Sequence, residues 1–334
     1  MICMEKKHIE WIDYIKGVCI LCVMIHHAQP LDIWERLLAP FFLSAFFFVS
    51  GYTFTSKNGF RNFIIKKTRA LVIPLVSLSL INGIVGVLFK GIPLRNRIMN
   101  LILEVAPNND TLWFFACLFS ASILFYAVNQ MVQSSIGIII VSNILSASGL
   151  IYIAGGGKGL LWQFELALIS LTFMAWGYGY RRFENRIRLV TDKHWAFISA
   201  SVVYVVLCLS YNNPVDMHMK EFGNIPVFFL SSFIGTMCIV MICQRMKNVK
   251  VLSYLGSHSI IYFAFQGFLM DTIRKVLLSL GITDRGFLCL ICVTIALPFL
   301  TIASEIIYRF FPCLIGKASF KENLHSLKYK RKIT

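Results

Sequence analysis

Apolar runs of about twenty residues, each long enough to cross a bilayer as a helix, recur along this 334-residue chain from one end to the other. In hydrocarbon every backbone N–H and C=O must be satisfied inside its own segment, so runs of this kind fold as helices. About ten spans are expected by the length criterion, at 11–29, 37–55, 70–89, 111–129, 134–153, 159–180, 194–211, 224–243, 253–272 and 286–308. The expected fold is therefore all-α, a polytopic membrane helical bundle. The weakest division lies between the fourth and fifth spans, where only Asn129, Gln130 and Gln133 mark a turn. Trp11, Trp34, Trp113 and Trp195 fall at span ends, where indoles favour the membrane interface.

Composition agrees. Charged residues make up 14% of the chain, against about 25% in soluble domains, and the mean hydropathy is +0.71. No polar stretch is long enough for a separate soluble domain. The expectation is one integral domain over 1–334, with a core at about 9–311 and a basic tail at 312–334. Lys6 and Lys7 before the first apolar run imitate a signal peptide, but Asp13, Lys16 and two histidines interrupt that run and no small-residue cleavage site follows.

The net charge of +16 would suggest nucleic acid in a soluble protein. Here the basic residues sit in short loops between spans, so the positive-inside rule accounts for them and no nucleic-acid partner is expected. Of the 32 basic residues, counting Lys16 and Arg309 with the side of Lys6, Lys7, the 57–69, 181–193 and 245–250 loops and the tail gives 23, and 9 fall on the other. Both termini are then expected in the cytoplasm. The longest outer connection, at 90–110, contains Pro93 and Pro107 and an amphipathic middle that suits a lid or interfacial helix. The chain has ten cysteines, mostly within apolar segments, with no spacing of a zinc site or disulfide framework. Cys22 and His26 are one turn apart but lack further ligands, so no metal is expected. The GGGKG stretch at 155–159 lacks the strand and Lys-Ser/Thr of a phosphate loop.

Ionisable groups inside spans are costly, each about 2.5–3.5 kcal/mol at a helix centre, and they mark candidate chemistry. Lys16 and His27 are eleven positions apart in the first span. Three helical turns take about 10.8 residues, so both side chains share one face about 16 Å apart, and Asp13 falls on the same stripe. His26 is rotated about 100° from that stripe, toward a neighbouring helix, which leaves His27 as the preferred general base or acyl acceptor. Lys16 either snorkels to the headgroups with Asp13 as a local partner or holds a polar part of a donor. Glu165, near Gln163 in the sixth span, either binds a polar substrate or rests at the interface. Glu305 and Arg309 suit an intrahelical pair.

Several motifs, in order, resemble the acyltransferase-3 family of integral membrane acyltransferases, most of all its fucose 4-O-acetylase-like branch. The family pattern of Arg or Lys, ten residues and His resembles Lys16 to His27 in DYIKGVCILCVMIHHA. FFFVSGY, with Ser50, Gly51 and Tyr52, resembles its Phe-rich second span. KKTRALVIPL, with Arg69 and Pro74, resembles its basic entry to the third, and LWFFACLF, with Trp113, its Leu-Trp-Phe-Leu segment. LGSHSIIYFAFQ resembles a later Gly-x-x-Ser pattern, in which Phe263 and Gln266 replace Tyr and His. Phe42 and Ser44 stand at a frequent His-Pro pair, and Lys16 replaces the commoner Arg, which loses bidentate phosphate recognition.

The resemblance implies an O-acetyltransferase in the cell membrane, a bacterial plasma membrane. Its donor would be cytosolic acetyl-CoA, with no permanently bound cofactor. Its acceptor would be a sugar hydroxyl of a surface glycan or lipid-linked precursor. It implies His27 as catalytic base or acyl carrier, Asp13 and Lys16 organising the donor end, and Arg69 as a second cation for CoA phosphates. Ser50, Tyr52, Trp113, Glu165 and Gln266 are the implied substrate contacts. The bilayer, acyl-CoA and the glycan are the implied partners. Two rival functions share the pattern of polar groups inside spans: a glycan or lipid-intermediate flippase, and a non-catalytic relative. Some relatives have an added extracytoplasmic transfer domain, and the chain, ending at Thr334, is expected to lack one.

Overall fold

The computed structural model describes residues 9–57, 59–90 and 111–317. The 90–110 connection anticipated as a lid lies outside them beyond Lys90, as do Lys6, Lys7 and the tail from 318. Among the described residues the chain is helical throughout, with one isolated bridge, Asp216 to Glu221. The helices are α1 (Glu10–His27), α2 (Asp32–Tyr52), α3 (Gly59–Lys67), α4 (Ile73–Lys90), α5 (Trp113–Met131) and α6 (Ser135–Ala154). They continue as α7 (Phe164–Thr191), α8 (His194–Val206), α9 (Ile225–Arg245), α10 (Lys250–Ser257), α11 (Ser259–Ser279) and α12 (Arg285–Phe310).

Each of the ten expected segments coincides with helix. Seven stretches are long and apolar enough to cross a membrane: Asp32–Tyr52, Gly59–Val87, Trp113–Met131, Ser135–Ala154, His194–Tyr211, Ile225–Arg245 and Arg285–Phe310. The three expected spans that fall short of that measure are α1, α7 and α11, which carry the ionisable and amide groups. Their placement explains how such groups are tolerated. α1 packs against α2, α9, α10 and α11, and α7 against α2, α5 and α6, so apolar helices sheathe both. The weak fourth turn is real: α5 ends at Met131, and the Ser134 hydroxyl caps the N-terminus of α6 by accepting from the Gly137 N–H at 3.4 Å.

Three boundaries differ from the apolar runs. α7 continues eleven residues past the expected end at 180, through a polar segment supported by the i,i+4 pairs Glu184–Arg188 and Arg188–Asp192. The ninth expected span is broken at His258, which separates α10 from α11. Short π-helical turns, at Thr68–Val72 and Leu207–Tyr211, lead into α4 and end the α8 segment.

The Ser-Gly-Tyr segment closes α2 where it crosses α7. A Cβ on Gly51 would overlap the Met174 carbonyl oxygen, and one on Gly177 would overlap that of Phe48. The two backbones therefore touch, and only glycine fits on either side. Arg181 of α7 donates to the Tyr52 and Phe54 carbonyls at 3.2 and 3.0 Å. It thereby satisfies acceptors that a helix C-terminus leaves open.

Candidate active site

α1 ends at a cavity. His26 and His27 occupy its last turn, Gln29 takes a left-handed φ of 55° that stops the helix, and Pro30 follows. Arg285, at the start of α12, fixes this turn by donating to the Pro30 carbonyl at 2.7 Å and pairing with Asp32 at 3.0 Å. The cavity has a volume of about 560 Å³. Both histidines line it, together with Phe42, Trp113, Asp216, His218 and Phe263. His26 is not turned away from it, as helix phase alone suggested. Its ring contacts Phe42 of α2 at 5.5 Å and also reaches the wall, edge-on to His27 at 5.7 Å. His26 Nδ1 is buried with no hydrogen-bond partner among the described residues.

The α11 wall is held by two neighbours. Asn82 donates to the Ala264 carbonyl at 2.9 Å and Thr111 to that of Phe263 at 2.5 Å. Gln266 is fully buried, and neither atom of its amide has a partner among the described residues. Its neighbours Phe263 and Gly267 line the cavity, whereas Gln266 itself does not. Ser44 also lies off the cavity. Its hydroxyl donates to the Pro40 carbonyl at 2.9 Å, an acceptor it shares with Ser232 at 2.6 Å.

The opposite end of α1 holds the other sequence candidates. Lys16 Nζ pairs with Asp13 Oδ1 at 3.0 Å, with Asp13 buried and Lys16 half-buried. Trp11 meets Tyr52 edge-on at 4.8 Å. The Tyr52 hydroxyl donates to Glu184 at 2.8 Å, and Ser50 accepts from Lys67 Nζ at 3.3 Å. Arg69 is exposed in the π-turn, with its carbonyl against Gly316. Ser50 and Tyr52 thus belong to the Lys16 end of the bundle, and Trp113 to the His27 end.

Glu165 has a structural partner that the sequence did not disclose. It is fully buried in the first turn of α7, and its Oε1 lies 2.6 Å from Lys220 Nζ. Oε2 accepts from the Leu160 N–H at 3.1 Å, closing a turn in which Trp162 and Gln163 are both left-handed. Lys220 belongs to the 212–224 loop, which the sequence did not mark as part of a site. The signal was present in the alternation of Asp216, His218 and Lys220 with Val215, Met217 and Met219. Asp216 and Glu221 exchange backbone hydrogen bonds at 2.8 and 2.9 Å. Asp216 Oδ1 accepts from the backbone N–H groups of His218 and Met219 at 2.8 and 3.1 Å. The His218 ring lies parallel to Trp113, 9° between planes and 4.8 Å between centroids. Burial holds the His218 imidazole below its ordinary range, against the neighbouring Asp216 carboxylate, which pulls it up. Among the described residues, no three His, Cys, Asp or Glu side chains converge as a metal site.

A helix packed within the bundle that delivers paired imidazoles to a partly open cavity can activate a hydroxyl or carry an acyl group. Comparison with known proteins agrees with that chemistry. The family model for acyltransferase-3, described as an acyltransferase domain, matches residues 9–303. No curated protein and no solved structure matched the chain. With nearly the whole helical core inside that match, the chain belongs to the acyltransferase-3 family and is a multi-pass membrane acyltransferase.

Proposed function

We propose that the protein is an O-acetyltransferase of the fucose 4-O-acetylase-like branch. It would move an acetyl group from cytosolic acetyl-CoA to a sugar hydroxyl of a surface polysaccharide or its lipid-linked precursor. The observation that carries this is α1 itself. One helix bears the Asp13–Lys16 pair at one end and His27 on a cavity wall at the other, about 16 Å away along the axis. Polar groups kept inside a bundle at such cost mark function. In this reading α1, α7 and α11 also cross the bilayer, which gives ten crossings with both termini in the cytoplasm of a bacterial plasma membrane. The Lys16 end then faces the compartment that makes acetyl-CoA.

His27 takes the proton from the acceptor hydroxyl. The acceptor oxygen bonds to the thioester carbonyl carbon, the carbon–sulfur bond breaks, and the CoA sulfur leaves with the proton returned from the imidazolium. Lys16, oriented by Asp13, and the exposed Arg69 attract the phosphates of CoA. Trp113 shapes the acceptor end, while Ser50 and Tyr52 shape the donor end. Mass analysis of the surface glycan from cells with and without the protein tests the function. A loss of one acetyl unit per repeat on deletion is expected, and an unchanged glycan would overturn the proposal.

A further inference from the structure

We propose that the 212–224 loop is the acceptor-recognition wall of this cavity, and that His218 positions a pyranose acceptor by hydrogen bonding to one of its hydroxyls. The inference rests on the cavity being the place of acyl transfer, as proposed above. It goes further in naming the group that reads the acceptor.

Four observations carry it. First, His218 and Asp216 line the same cavity as His26 and His27, but from a different part of the chain, so the cavity has a wall that α1 does not supply. Second, the loop is built to hold its shape. Val215 and Met217 are buried, and both line the cavity beside Asp216 and His218, so the loop presents a continuous wall. The Asp216–Glu221 bridge closes the loop, the Asp216 carboxylate caps its turn, and Lys220 anchors it to the fully buried Glu165. Third, parallel stacking on Trp113 fixes the plane of the imidazole. Fourth, the hydrogen bond of His218 to Asp216 is made by its backbone N–H, and the residue lines the cavity.

An imidazole whose plane is fixed presents one donor and one acceptor along its edge when neutral. A sugar hydroxyl is both donor and acceptor, so it can satisfy either nitrogen. The aromatic surfaces of Trp113, Phe42 and Phe263 suit the C–H faces of a pyranose ring, as an apolar pocket with few placed polar groups should. With His27 as the base, His218 is a positioning residue. It acts on how the acceptor sits, not on the transferred acyl group.

The test uses the full-length protein in lipid nanodiscs with radiolabelled acetyl-CoA. The acceptor is surface polysaccharide purified from cells that lack the protein. His218→Ala should raise the acceptor concentration for half-maximal transfer about tenfold, the worth of one hydrogen bond. The half-saturating acetyl-CoA concentration should stay within about twofold of wild type, because the donor end is untouched. His218→Gln keeps a donor and an acceptor on a side chain of similar reach, and should recover most of the loss. An unchanged acceptor dependence in His218→Ala, with wild type active, overturns the inference and leaves the proposed function standing. Equal shifts for donor and acceptor, or no rescue by glutamine in a folded protein, would make His218 structural and also overturn it. A wild-type protein that transfers no label overturns the proposed function, and the inference with it.

Discussion

Removing Lys220 should do more damage than removing its partner. Glu165 is fully buried, and its carboxylate has two supports that come from outside its own helix, Lys220 Nζ at 2.6 Å and the Leu160 N–H at 3.1 Å. Lys220→Met leaves a buried charge with only the second, a loss of about 3–5 kcal/mol for a broken buried pair. Glu165 lies in the first turn of α7, where the helix dipole returns up to about 1 kcal/mol. The net expectation is about 2–4 kcal/mol. Glu165→Gln should cost less, about 1–3 kcal/mol, because Lys220 is 21% exposed and its ammonium can turn toward solvent. In the double variant neither charge remains, so the losses should not add. The coupling should reach about 2 kcal/mol. SDS-induced unfolding in mixed micelles, at a fixed detergent fraction and pH, measures all four proteins. Additivity within about 0.5 kcal/mol would refute the pair as the anchor of the 212–224 loop, and so would a Lys220→Met loss no larger than that of Glu165→Gln.

The crossing of α2 and α7 predicts that Gly177→Ala destabilises the fold by about 1–3 kcal/mol or more, because the added methyl meets the Phe48 carbonyl and not a movable side chain. The same unfolding assay decides this, and a neutral Gly177→Ala would remove the close-contact account of the Ser-Gly-Tyr segment. For pH, burial lowers the His218 imidazole in the folded protein, so the unfolded chain takes up the proton first as pH falls. The His218 contribution to stability should therefore be lost as pH drops below the unfolded value of about 6.5 and be constant above it. Comparing wild type with His218→Gln between pH 5 and 8 reads this difference, and a contribution that grew on acidification would contradict it.

The helices were legible because run length and hydropathy are local properties. Even the turn marked only by Asn129, Gln130 and Gln133 is where the chain reverses, between Met131 and Ser135. The arginine-rich end of α7 was hidden, since Glu–Arg pairs extend a helix beyond its apolar part without a hydropathy signal. The break at His258 was equally silent, because the residues on both sides are helix-compatible. Within the candidate site, the eleven-residue spacing of Lys16 and His27 was readable because side chains on one helix can be phased from sequence. Phase also separated His26 from His27 too sharply. A cavity that wraps a helix end reaches residues about 100° apart on it, and both histidines line this one. Glu165 could be read only as a costly acid, because its partner Lys220 is 55 positions away in a loop with no periodicity. For the same reason the stacking of His218 on Trp113 depends on tertiary structure alone.

The central claim is that His27, on the wall of the cavity at the end of α1, performs acyl transfer. The most direct measurement follows label from acetyl-CoA to the deacetylated surface glycan with purified wild-type, His27→Ala and His26→Ala proteins, each shown to be folded. Positioned acid–base groups contribute about 10²–10⁴-fold. The account predicts that His27→Ala loses transfer by at least about a hundredfold, with binding of acetyl-CoA retained, and that His26→Ala loses less. Full transfer by His27→Ala would contradict it.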